Sequence, residues 1–137
     1  MPGKKQESDM QPIRLMGAGY EPHVEQLGNQ LTYSLPVDSG FVSFIFTFEI
    51  RQADLDILLS DDYRRAVLEV TAHTLLQRSM TKGNERFTQN DFDELVMNTL
   101  HSTFDFLQMF IARVGRDNNI AIEHYAEDVI NRRSATR

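Results

Sequence analysis

Phe41-Val42-Ser43-Phe44-Ile45-Phe46-Thr47-Phe48-Glu49-Ile50 reads as a β-strand. Val42, Phe44, Phe46, Phe48 and Ile50 alternate with Phe41, Ser43, Ile45, Thr47 and Glu49, and this period of two gives one fully apolar face and one mixed face. Aromatic and β-branched side chains suit a pleated, half-buried surface. Just upstream, residues 30–35 form a shorter strand candidate, and Pro36, Val37, Asp38, Ser39 and Gly40 supply the residues a chain reversal needs. The two runs predict a hairpin. A lone hairpin is marginal in water, so its Phe face must lie on helices or join a larger sheet completed by residues 11–27 or by a second copy.

After Ile50 the period becomes helical. Ala53, Leu55, Leu58 and Leu59 predict a short helix ending near Ser60. Ser60 then stands as the cap of a second helix, with Asp61 and Asp62 in its first turn. Its apolar positions include Ala66, Val67, Val70 and Leu76. Arg78, Lys82 and Gly83 mark its end. Thr88 and Asp91 resemble a capping box with Asp in place of Glu, opening a third helix expected to run to about Val114. Phe104, Phe106, Leu107, Met109, Phe110 and Ile111 leave its second half little polar surface, so it should be central or covered by a partner. Residues 120–133 suggest a fourth helix. The expected fold is α+β, a short N-terminal β-hairpin packed on a bundle of three to four helices. Residues 1–29, broken by Pro2, Pro12, Gly17, Gly19, Pro22 and Gly28, read as a flexible or loosely packed arm, and residues 30–137 as a single domain.

Composition narrows the function. A chain of 137 residues buries roughly 68% of its unfolded surface, enough for one core without covalent staples. The absence of cysteine removes thiolate catalysis, disulfides and cysteine zinc sites, and suits a reducing cytosol. No apolar run is long enough to span a bilayer, and residues 1–10 lack the apolar stretch of a signal peptide. A cytoplasmic location is expected. The formal charge of −6 argues against nucleic-acid binding and favours a basic partner. One basic group, Arg64, Arg65, Arg78 and Lys82 beside Tyr63, lacks the interleaved aromatics of a single-strand binder.

No nucleophile-and-base motif is present, and Gly17-Ala18-Gly19 lacks the third glycine of a dinucleotide loop. Glu69 with His73 and His101 with Asp105 have helical i, i+4 spacing, which suits a surface ion pair better than the spacing of helical metal sites. Neither an enzyme nor a cofactor or metal protein is expected. The sharpest feature is acidic. Asp54, Asp56, Asp61 and Asp62, with Glu49 against Arg51, give residues 48–62 a net charge of −4, and Tyr63 follows as an aromatic anchor. Helix-dipole stabilisation alone would also account for Asp61 and Asp62.

The hairpin, the run Ala-Asp-Leu-Asp-Ile-Leu-Leu-Ser-Asp-Asp-Tyr-Arg-Arg-Ala-Val-Leu-Glu at 53–69 and the Phe-Thr-Gln-Asn-Asp-Phe at 87–92 together resemble the small bacterial immunity proteins of contact-dependent and other polymorphic toxin systems. The resemblance implies a cytoplasmic stoichiometric inhibitor that neutralises a toxin, frequently a nuclease, by occluding its active site. Asp54, Asp56, Asp61, Asp62 and Tyr63 would then face a basic toxin domain. The second reading is a homo-oligomeric structural or regulatory domain without catalytic activity, such as a homodimer, with the Phe-rich strand and third helix as its self-interface.

Overall fold

A computed structural model describes residues 11–81 and 83–135. Four strands come first: β1 (Ile13–Met16), β2 (His23–Leu27), β3 (Gln30–Ser39) and β4 (Val42–Ile50). Each pairs antiparallel with the next, so the sheet is a meander in the order β1-β2-β3-β4. Five helices follow: α1 (Gln52–Ser60), α2 (Asp62–Ser79), α3 (Gln89–Leu100), α4 (Phe104–Asn118) and α5 (Ile122–Ala135). The fold is α+β, with the helices gathered on one face of the sheet.

The expected arm is corrected over residues 11–29, while residues 1–10 lie outside the described residues, as does Lys82. β1 and β2 extend the hairpin into a four-stranded sheet. The reversal expected from Pro36 onward is also displaced, because β3 runs through Pro36 to Ser39. Pro36 breaks no ladder bond. Backbone groups of Leu35 and Val37 face β4, those of Ser34 and Pro36 face the other way, and β2 ends at His23 opposite Ser34. Two-residue turns close the β2–β3 and β3–β4 hairpins, at Gly28-Asn29 and Gly40-Phe41. Gly28 (φ 61°) and Gly40 (φ 64°) hold the first turn position, where a positive φ matches the twist of the strands.

Leu31, Tyr33, Leu35 and Val37 of β3, with Val24 of β2 and Phe48 and Ile50 of β4, make the buried face. Phe92 of α3 seals it. Its ring stacks on Phe48 at 4.4 Å and 6°, and lies 5.6 Å from Tyr33, while Phe87 meets the edge of Phe48 at 5.8 Å. The centre of the bundle is α2, whose Ala66, Val67, Leu68, Ala72 and Leu76 are fully buried. Thr71, buried among them, donates its hydroxyl to the Val67 carbonyl at 2.7 Å, which satisfies it within the helix.

Two helix boundaries are corrected. Ser60 is the last residue of α1 and donates to the Asp56 carbonyl (2.8 Å), whereas Asp61 caps α2 by accepting the Arg64 N–H at 3.0 Å. The single helix expected from residue 88 to 114 breaks at 101–103, where Thr103 starts α4 by accepting the Phe106 N–H at 3.2 Å. α4 is not central. It buries Leu107, Phe110, Ile111 and Val114 and leaves Phe104, Phe106 and Met109 exposed. The Thr88–Asp91 capping box forms as the spacing predicts, with both reciprocal hydrogen bonds.

Phe92 joins three elements through one ring, so Phe92→Ala is expected to cost about 3–5 kcal/mol in chemical denaturation. A loss below about 1 kcal/mol would show that the aromatic stack is not the seal between sheet and helices.

Candidate interaction surface

The acidic group singled out in the sequence does not gather on one surface. Asp54 turns inward with its side chain 3% exposed. It accepts the Arg51 backbone N–H (2.8 Å) and the Arg51 guanidinium (3.3 Å), and lies 2.6 Å from His101 Nε2. Its work is to box the start of α1 and tie that helix to the break between α3 and α4. Asp61 is spent on the α2 cap, and Tyr63 is half-buried, accepting from Gln108 and packing near Phe104. Asp56 and Asp62 remain exposed, Asp56 accepting from Gln52.

Burial pushes the Asp54 carboxyl up, but the hydrogen bonds from the Arg51 N–H, His101 and the Arg51 guanidinium outweigh it and hold the group below the usual carboxylate range. The spaced pairs Glu69–His73 and His101–Asp105 are not assembled as ligands, since Glu69 pairs with Arg133 and His101 with Asp54. Among the described residues no group of three or more His, Cys, Asp or Glu side chains is arranged to hold a metal ion. The basic set is likewise occupied: Arg64 donates to the Thr99 carbonyl (2.8 Å) and Arg78 to Asn118 (3.2 Å).

Arg65 enters a charge cluster that the sequence did not reveal. Arg133 of α5 reaches both Glu69 of α2 and Glu21 of the β1–β2 loop, the latter at 3.4 Å, and Arg65 lies 3.7 Å from Glu21. Arg65 and Glu69 stand one turn apart on α2. That spacing was the available signal, but Glu21 and Arg133 come from opposite ends of the chain. The cluster closes one end of a groove of about 650 Å³ bordered by Tyr20, Glu21, Glu69, His73, Tyr125 and Arg132. Burial holds the His73 imidazole below its ordinary value despite nearby Glu69 and Asp38. The groove's two carboxylates are already engaged by Arg65 and Arg133, and Arg132 adds a further cation to its tyrosine-flanked rim.

The open surface lies elsewhere, at the far end of hairpin β3–β4. Phe41 is fully exposed, and Val42, Phe44 and Ile45 are 52%, 44% and 62% exposed. From Ser39 to Phe48 there is no ionisable side chain. α3 covers β4 only near Phe48 and Ile50, so the apolar face predicted from the alternation is buried at one end and bare at the other. β4 is also the edge of the sheet. Glu49 reports which way its backbone points: its N–H donates to Gln89 Oε1 at 2.9 Å, and Gln89 Nε2 donates to its carbonyl at 2.9 Å. The Gln89 amide thus replaces a neighbouring strand at that residue. Backbone direction alternates along a strand, so Ser43, Ile45 and Thr47 point the same way as Glu49, and their backbone groups have no partner among the described residues.

No protein family matches the chain, and neither a curated protein nor a solved structure is similar enough to it to count as a match. Among the described residues no helix is long and apolar enough to cross a membrane.

Two substitutions separate structural charges from free ones. Asp54→Asn is expected to lower stability at neutral pH by about 1–3 kcal/mol. It should also flatten the acid limb of the stability curve, because a lowered carboxyl stabilises above its unfolded value and loses that as pH falls through its folded one. Arg133→Ala leaves the part-buried Glu69 without its ion-pair partner and is expected to cost about 1–3 kcal/mol, part of which Glu69→Gln restores. Melting curves of the single and double variants check both.

Proposed function

We propose that this protein acts by binding another protein, without chemistry of its own, and that the contact surface is the bare end of hairpin β3–β4. The observation that carries this reading is the exposed, charge-free run Phe41-Val42-Ser43-Phe44-Ile45 on an unpaired sheet edge. Contiguous exposed apolar surface of this kind marks interaction sites on soluble domains, and an open edge adds main-chain hydrogen bonding to the contact. The exposed Phe106 and Met109, three residues apart on α4, offer a further apolar pair. A cytoplasmic location fits a cysteine-free, acidic chain.

A second reading is the stoichiometric inhibitor of a basic toxin domain, as the immunity-protein resemblance implies. Exposed Asp56 and Asp62 and the overall charge of −6 favour it. With Asp54 turned inward, its surface is smaller than the sequence promised.

Affinity capture with wild-type protein and with a Phe41→Ser/Ile45→Ser variant tests the first reading. Both side chains are exposed, so the variant's stability should stay within about 0.5 kcal/mol of wild type. The bound protein, whether a second copy or another chain, is expected to disappear from the variant. Undiminished capture by the folded variant would remove the hairpin from the interface. Charge reversal at Asp56 and Asp62 tests the second reading in the same assay, where loss of a basic partner supports inhibition.

A further inference from the structure

We propose that the partner of the β4 edge is a second copy of the same chain, paired antiparallel about a two-fold axis through Ile45. The inference rests on the protein-binding reading above and names its occupant. The open window fixes the register. Gln89 occupies the outward backbone groups of Glu49, and the turn at Gly40-Phe41 ends the strand on the other side. Ser43, Ile45 and Thr47 remain, a window symmetric about Ile45. Antiparallel self-pairing puts Ile45 opposite the second copy's Ile45 and Ser43 opposite the second copy's Thr47, so every open donor and acceptor meets its complement.

The side chains agree with the backbone. In this register Phe44 stands opposite the second copy's Phe46 in the close, non-hydrogen-bonded positions, with Val42 opposite Phe48. The half-exposed Phe44 and Phe46, already 6.4 Å apart, thereby join an aromatic cluster across the dyad. Charge points to a second copy rather than to a basic chain. A molecule of formal charge −6 repels its own kind, yet residues 39–48 contain no ionisable group, and Glu49 falls opposite Phe41 rather than another carboxylate. An edge built for a basic partner would carry carboxylates within the open window, where Ser43, Ile45 and Thr47 supply none.

The native chain has no cysteine, so single introduced cysteines read the register directly. Ser43→Cys and Thr47→Cys are expected to form little disulfide alone and to cross-link efficiently when mixed. Ile45→Cys should cross-link with itself, since its Cα separation across the dyad, about 5.5 Å, suits a disulfide. Light scattering of the full chain should give twice the chain mass. Ile45→Pro should return the single mass with unchanged circular dichroism, because the Ile45 N–H faces away from β3.

Cross-linking that ignores position, or a single-chain mass for wild type throughout a dilution series, overturns the proposal. If Ile45→Pro unfolds, the mixed-cysteine pattern decides alone. A monomeric wild type that still captures a different protein through Phe41 and Ile45 would end self-pairing and leave the protein-binding reading standing.

Discussion

A meander of four strands has two faces, and here only one of them is apolar enough to demand cover. All the helices of the described residues follow the sheet in sequence, so their cover arrives from the C-terminal side and folds back. Phe92 is the contact on which this return depends. Its ring enters between Tyr33 of β3 and Phe48 of β4, fixing α3 against the sheet and leaving a channel that α2 fills. With α3 placed, the break at 101–103 turns α4 around α2, and α5 closes the remaining side. The bare end of β4 is the geometric counterpart of this arrangement, since α3 reaches the strand at Phe48 and does not extend along it.

The ionic ties serve arrangement more than affinity for a ligand. Asp54 holds the start of α1 to the α3–α4 break through His101, and Arg133 holds the last helix to both Glu69 and the loop that enters β2. Partly buried pairs of this kind repay little of their own desolvation, but they penalise any packing in which one partner is left alone.

Much of the fold was legible because local chemistry and tertiary structure agree. The alternation from Val42 to Ile50, the box at Thr88 and Asp91 and the apolar stripe of α2 each state their element directly. The misreadings have particular causes. β1 and β2 are short, lie among glycines and prolines, and take their identity from backbone pairing with β3, which leaves no periodic trace. Pro36 looked like a stop, but its missing N–H falls beyond the end of β2. The continuous apolar spacing through 95–114 hid the break, although Thr103 followed by Asp105 carries the signature of a helix start. The acidic residues could not be placed from sequence at all, because whether Asp54 points outward or into the protein depends on where His101 lies, 47 residues away.

The two rims of the sheet are built to different standards. β4 offers a straight, uncharged run, whereas β1 has four residues and an irregular register between Arg14 and Met16. Indefinite edge-to-edge growth of a sheet needs an adhesive rim on each side, and among the described residues only β4 offers a long, regular one. Self-pairing through β4, as proposed above, would consume that rim and leave the short, irregular β1 at each outer edge. A distorted strand of four residues would then set the limit to further growth of the sheet.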